Sequence, residues 1–280
     1  MTRSIVCGFD ETSGGRHAAS IAARLARDLD SSALLVHVLE RRGPLARIPS
    51  APIGRARRVR RTLRTAAEEH CFPERTTVRV KVGDPALTLM SVAQREDAEL
   101  IVVSTGGRST VRAAMLGSVT SALVRDAPCP VVVVPSANVA PLDTEGMRSV
   151  VCGVAGEDTD AEVLRLAEDL AVRLHGDLHA VHAYDPGEAD STSEAEHRLA
   201  SALDELQGRA RGTIVPLPAG ESLRRVAAQR AAGLIVVGAA RRGSVPTELA
   251  VDGRTAVVVL PGGARLEPGS GHYEVLAGAA

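Results

Sequence analysis

Along the whole chain, short runs of consecutive apolar residues alternate with longer segments in which apolar positions recur every three or four residues. Ser4-Ile5-Val6-Cys7-Gly8-Phe9 leads through a polar turn to Ile21, Leu25 and Leu29, four apart. The same pattern returns later. Ser149-Val150-Val151-Cys152-Gly153-Val154 leads to Val163, Leu166, Leu170 and Leu174. Further pairs follow in the same order: residues 34–38 with 178–182, 98–103 with 232–237, Gly117-Ser118-Val119 with Gly243-Ser244-Val245, and 131–135 with 257–261. Such self-similarity marks an internal duplication. Each copy predicts the alternation β-α-β-α-β-α-β-α-β. The apolar runs are nearly continuous in Val, Ile and Leu, as expected of parallel strands covered by helices on both faces. The expected fold class is therefore α/β: two tandem, doubly wound, parallel five-stranded sheets. The copies occupy residues 1–135 and 149–261. Residues 136–148 form a linker, and 262–280 a Gly-rich tail without periodicity, expected to be loosely held.

An apolar last strand must not be left as a bare edge. Residues 131–134 and 257–260 are expected to pair antiparallel within the chain, making it an intrachain pseudo-dimer that could assemble further into a homo-oligomer.

Composition narrows the function. The 280 residues carry 33 Lys+Arg against 34 Asp+Glu, a formal charge of −1, which speaks against a general binder of nucleic acid or membrane surfaces. Aromatics are 1% (Phe9, Phe72, Tyr184, Tyr273), which leaves no platform for stacking bases. No apolar stretch reaches 18 residues, and Asp10 interrupts the first one, which reads as a strand rather than a secretion signal. Cys7, Cys71, Cys129 and Cys152 form no C-x-x-C pair and suit free thiols in a cytoplasmic protein.

In an open parallel sheet, ligands bind beyond the carboxyl ends of the strands. The richest such segment is 104–119, with glycines at 106, 107 and 117 and a helix opening at Gly117-Ser118. A helix start offers unpaired N–H groups and the positive end of its dipole, and Ser118 adds a hydroxyl. This is the build of a phosphate cradle, although no Walker-type Gly-Lys-Ser/Thr is present.

On these residues the chain resembles a tandem universal stress protein, over about 3–135 and 148–261. That family belongs to the wider group of adenine nucleotide alpha hydrolase-like folds. The signature of its ATP-binding members is G-x2-G-x9-G-[ST], with an Asp closing the first strand. Gly107, nine residues and Gly117-Ser118 fit its last two elements, and Asp10 fits the acid; Ser104 stands where the first glycine belongs. The resemblance implies an adenine nucleotide site for ATP, with or without Mg, formed by Gly8, Phe9, Asp10, Val38, Val103, Ser104, Gly107, Arg108, Gly117, Ser118, Val119 and Thr120. Asp10 and Val38 would flank adenine and ribose, and Gly107, Gly117, Ser118 and Val119 would hold phosphates and ribose.

The second copy departs much further. Ala155 replaces the acid, Arg241 the second glycine, and eight residues of the loop are missing before Gly243. It is expected to keep the fold and to have lost the nucleotide.

Plainer readings stand beside these. Residues 10–13 could simply cap a helix, and Asp84-Pro85 could do the same. His37 and His182, at matching strand positions, suit bonded core histidines better than ligands. His175, His179 and His182 straddle a helix end and a strand, and no metal is expected there. His17, on a first helical turn, gives no evidence of a base. One contrast lies outside the resemblance. Residues 41–64 hold nine arginines and no acid, while 185–205 hold seven acids against Arg198. Opposite charge at equivalent positions suggests docking between domains or between chains; solvated helix faces are the alternative, and a nucleic-acid patch the weaker one.

Three functions compete: a cytoplasmic, non-catalytic regulatory protein of the stress response that binds ATP in its first copy; a stress-response scaffold independent of nucleotide; and an ATP-using transferase. Nothing in the sequence makes an acid–base pair, so at most slow incidental ATP hydrolysis is expected.

Overall fold

The structure is a computed structural model that describes residues 3–40, 53–106, 116–136, 148–156, 160–184, 192–204, 206, 209–239, 245–252, 254–262, 264–266 and 273–275. The first repeat comprises β1 (Ser4–Gly8), α1 (Ser13–Asp28), β2 (Ser32–Leu39), α2 (Ile53–Glu69), β3 (Thr76–Val82), α3 (Pro85–Arg95), β4 (Ala98–Ser104), α4 (Ser118–Asp126) and β5 (Val131–Val134). The second comprises β6 (Ser149–Val154), α5 (Asp160–Arg173), β7 (Asp177–Ala183), α6 (Thr192–Asp204), β8 (Ala210–Val215), α7 (Ala219–Gln229), β9 (Leu234–Gly238), α8 (Val245–Asp252) and β10 (Ala256–Leu260). The alternation expected from the repeats is present in both.

All ten strands join one sheet in the order β3-β2-β1-β4-β5-β10-β9-β6-β7-β8. Pairing within each repeat is parallel. The repeats meet through the expected antiparallel pair, Val131–Val133 of β5 against Val257–Val259 of β10. Those six valines are fully buried. The apolar edge each repeat would expose alone thus becomes the centre of a continuous sheet. The outer strands β3 and β8 carry polar and half-exposed residues instead.

Alternate residues along each strand feed two cores. Ile5, Cys7, Leu100 and Val102 pack with α1, α2, α5 and α6; Val6, Ile101, Val103, Val131 and Val133 pack with α3, α4, α7 and α8. Aromatic bulk is nearly absent, so closeness comes from small residues. In α1 the alanines at 18, 19, 22, 23 and 26 are all fully buried.

A buried ionic cluster also joins the repeats. Glu99 of β4, its side chain 5% exposed, accepts Arg173 Nη1 of α5 at 2.6 Å and the Ser31 hydroxyl, and lies 3.6 Å from Arg3 Nη1. Arg173 Nη2 donates to the Leu29 carbonyl at 3.0 Å.

His37 and His182 are buried, and each ring Nδ1 lies 2.9 Å from a backbone carbonyl, Phe9 and Val154 respectively. His179 and His182 are three apart on β7 and therefore project to opposite sides of the sheet, so they do not converge on a metal. All four cysteines are free thiols, with Cys71 exposed. Burial pushes the Cys7 thiol up to about 12. In the tail, Ala264–Leu266 (β11) and Tyr273–Val275 (β12) form a two-stranded antiparallel ribbon. Three-residue strands are too short to produce a readable alternation. No helix among the described residues is long and apolar enough to cross a membrane.

Arg173→Met leaves the buried Glu99 carboxylate only Ser31 and the more distant Arg3, and is expected to cost about 3 kcal/mol, read from the urea midpoint. Replacing both partners, as Glu99→Gln with Arg173→Met, should recover part of that loss.

His179 is buried beside Arg230 and Arg211 with Nε2 2.8 Å from the Thr213 hydroxyl. Burial first, and then the two arginines, lower its pKa from 6.5 to about 4. Between those values the unfolded chain binds the extra proton, so this histidine makes stability fall as pH drops from about 6.5 towards 4. His179→Gln should flatten that part of a melting-temperature profile.

Candidate functional site

β1 and β4 lie side by side at the centre of the first repeat, and their carboxyl ends hold most of the residues singled out in the sequence. After β1, the Asp10 carboxylate accepts the Thr12 backbone N–H at 3.2 Å and the Thr12 hydroxyl, both on Oδ1. Thr12 is the N-cap of α1, its hydroxyl oxygen accepting Gly15 N–H at 3.1 Å. Thr12 therefore caps the helix, and Asp10 orients the cap. Among the described residues nothing engages Asp10 Oδ2.

The first turn of α1 contains Gly14-Gly15. Glycines in an otherwise Ala-rich helix cost stability relative to Ala and need a reason. The reason is contact. A Cβ on Gly15 would lie 2.2 Å from both the Asp10 carbonyl oxygen and Oδ1. One on Gly14 would lie 3.0 Å from Ser136 Oγ and 3.2 Å from Ser104 Cβ and Oγ. Ser104 thus directs its side chain into the space left by Gly14, and its hydroxyl donates to the Gly106 carbonyl at 3.4 Å.

The loop after β4 is pinned at both ends. Thr105 N–H donates to the Val134 carbonyl, and the Thr105 carbonyl accepts Gly117 N–H, each at 2.9 Å. The Thr105 hydroxyl meets Ser136 Oγ at 2.7 Å and accepts Ser136 N–H at 3.0 Å. The Thr120 hydroxyl donates to the Ser104 carbonyl at 2.9 Å. The start of α4 is thereby held beside the ends of β4 and β5.

What α4 presents there is an open N-terminus. Its N-cap is Gly117, with no side-chain capping bond. α1 and α3 differ. Thr12 caps the first, and Asp84 Oδ1 accepts Leu87 N–H at 2.9 Å in the second, with Pro85 at its first position. Among the described residues the amides of Ser118, Val119 and Thr120 have no partner, at the positive end of the helix dipole.

The other expected residues fall in graded positions. Gly8 is half-buried: a Cβ there would lie 2.9 Å from Leu89 and 3.0 Å from Val103. The Phe9 side chain belongs to the α1–α2 core, so only its backbone borders the site. Val38 packs on the α3–α4 core, and Val103 is buried within it. Ser118 is exposed and Val119 half-buried. Gly107 and Arg108 lie outside the described residues. Sequence reasoning passed over Gly14, Gly15, Thr105 and Ser136; the glycine pair within a helical pattern was the available signal.

After β6 the second repeat fills its own backbone amides. Ala155 stands where Asp10 stands, and the Asp160 carboxylate accepts Ala155 N–H at 3.1 Å and Gly156 N–H at 2.6 Å. A Cβ on Gly156 would lie 3.0 Å from Arg198 Cδ, so α6 covers this corner. Pro246 is the second residue of α8, where it removes one amide from the helix start. Arg241 and Gly243 lie outside the described residues.

The Universal stress protein family model matches residues 1–135. A universal stress protein of Mycobacterium tuberculosis is 32% identical over 176 residues, 58% of either chain. Another from that organism is 30% identical over 206 residues, covering 65% of this chain and 68% of that one. The chain thus spans little more than half the length of the first of these relatives. Among solved structures, a universal stress protein from Archaeoglobus fulgidus superposes with a TM-score of 0.68 at 14% identity, over 92% of this chain and 98% of that one.

Gly15→Ala is expected to lower the melting temperature by forcing Asp10 and the α1 start apart. Gly106→Ala, whose nearest contact would be at 3.7 Å, should leave it unchanged.

Proposed function

Because the chain belongs to the universal stress protein family, we propose that it is a non-catalytic regulatory protein of the stress response whose first repeat binds an adenine nucleotide, ATP foremost, and whose second repeat binds none. The observation that carries this reading is the contrast between the two repeats. At α4, Gly117 gives no side-chain cap, and among the described residues the amides of Ser118, Val119 and Thr120 have no partner. In the second repeat the chain's own Asp160 occupies the backbone amides after β6, and a proline interrupts the helix start.

The residues present fit a nucleotide. The open amides of α4 and the Ser118 hydroxyl suit a polyphosphate, whose charge the helix dipole favours. Asp10, anchored through Oδ1, keeps Oδ2 for a ribose hydroxyl. Val38 gives an apolar wall. Ser104, at odds with the family signature, turns its side chain toward Gly14 rather than taking the helix-start amides. When bound, the nucleotide supplies charge and a surface for partner choice. The protein's part is to bind and orient it, since among the described residues neither a thiolate nor an acid–base pair stands at the site. Cytoplasmic action follows from the same reading.

The competing scaffold reading draws on Ser104 and on the degenerate second copy. Denaturing the purified protein and analysing the supernatant for released nucleotide, followed by calorimetric titration with ATP, separates the two. One site per chain is expected. Gly117→Val, which sets a branched side chain beside the amides, should abolish binding with an unchanged urea midpoint. No released nucleotide and no heat with ATP would favour the scaffold.

A further inference from the structure

The helix layer made of α2, α1, α5 and α6 covers one face of the sheet in that order, because α2 packs on β3 and β2, α1 on β1 and β4, α5 on β6 and β9, and α6 on β8 and β7. Its charge is sharply divided. α1 and α2 together carry nine arginines against Asp28, Glu68 and Glu69. α5 and α6 together carry seven carboxylates against Arg165, Arg173 and Arg198. The opposite layer shows no such division. There α3 and α4 hold Arg95 and Arg125 against Asp126, and α7 and α8 hold two arginines against three acids.

The extreme members are α2 and α6. All six arginines of α2 are exposed, and no carboxylate among the described residues pairs with them. Arg57, Arg61 and Arg64, at four- and three-residue spacing, form its outermost stripe, opposite the buried Val59, Leu63 and Ala66. On α6, Glu194, Glu196 and Asp204 are exposed, with Arg198 set against Glu194 at 2.7 Å. Docking of α2 on α6 within one chain, one option left open by the sequence, is ruled out by the topology. The two helices flank opposite outer strands, nine strand spacings or roughly 43 Å apart.

We infer that this layer is an interface for a second copy of the chain, with the α2 of each copy lying on the α6 of the other. A copy turned about an axis parallel to the strands places both contacts at once, so the pair closes as a two-fold dimer. The alternative face-to-face turn would set α2 on α2, arginine against arginine. The charge division therefore selects one of the two closed arrangements as well as favouring association. The contact is electrostatic, and salt weakens it.

Sedimentation of the full chain in low and high salt tests this. The wild type should sediment as a dimer of 29.1 kDa chains at about 0.05 M salt, with at least a ~10-fold weaker association at about 1 M. One variant carries Arg57→Glu, Arg61→Glu and Arg64→Glu; another carries Glu194→Lys and Glu196→Lys. Each alone should be a monomer with unchanged circular dichroism. Mixed together, they should form a heterodimer, since α2 and α6 are again opposite in charge at both contacts. A monomeric wild type in low salt overturns the inference, as does a dimer indifferent to salt and to both variants, or a mixture that stays monomeric. A wild type that stays monomeric alone, shifts a short DNA duplex and loses that shift with the arginine variant would assign α2 to nucleic acid instead, and equally overturns it.

Discussion

Six valines hold the molecule in its present form. Val131, Val132 and Val133 of β5 face Val257, Val258 and Val259 of β10 across the only antiparallel contact in the ten-stranded sheet. Each repeat by itself would end in an apolar strand with unpaired backbone groups, which is an invitation to unspecific pairing. Meeting each other, the two strands remove both edges. The same contact sets the pseudo-two-fold relation between the repeats. It puts the carboxyl ends of β1 and β6 on opposite sides, and α2 and α6 at opposite ends of one helix layer. Arg173, reaching from α5 to Glu99 and Leu29, adds a directional tie to this otherwise apolar junction.

Given a shared frame, the repeats differ in which carboxylate serves the backbone donors beyond their first strand and in how many it takes. Buried or half-buried N–H groups need partners. In the second repeat the chain supplies its own carboxylate, Asp160, to Ala155 and Gly156. In the first, Asp10 is committed to Thr12 through one oxygen, and the start of α4 has no cap.

Much of this was legible in the sequence because it rests on period and repetition. The Val/Ile/Leu runs are buried on both faces, so they read as parallel strands. Their recurrence gave the duplication, and the Val-rich last strands implied their own pairing. Asp84-Pro85 read correctly as a cap and first helical residue. Less was legible where contacts depend on residues distant in the chain. Ser104 stands where the family signature has glycine, and the room for its side chain comes from Gly14, ninety residues away. Asp160 lies five residues beyond Ala155, and nothing in that spacing reveals that it reaches back to the amides after β6. The short ribbon β11–β12 has too few residues per strand to show any period.

The proposed anion receiver is the start of α4, whereas the chain's own Asp160 fills the amides after β6. Backbone amide resonances of the isotopically labelled protein, followed during addition of ATP, test it most directly. The largest shifts are expected at Ser118, Val119 and Thr120, with Ala155 and Gly156 unmoved. Shifts centred on Ala155 and Gly156, with those of the α4 start unchanged, would contradict it.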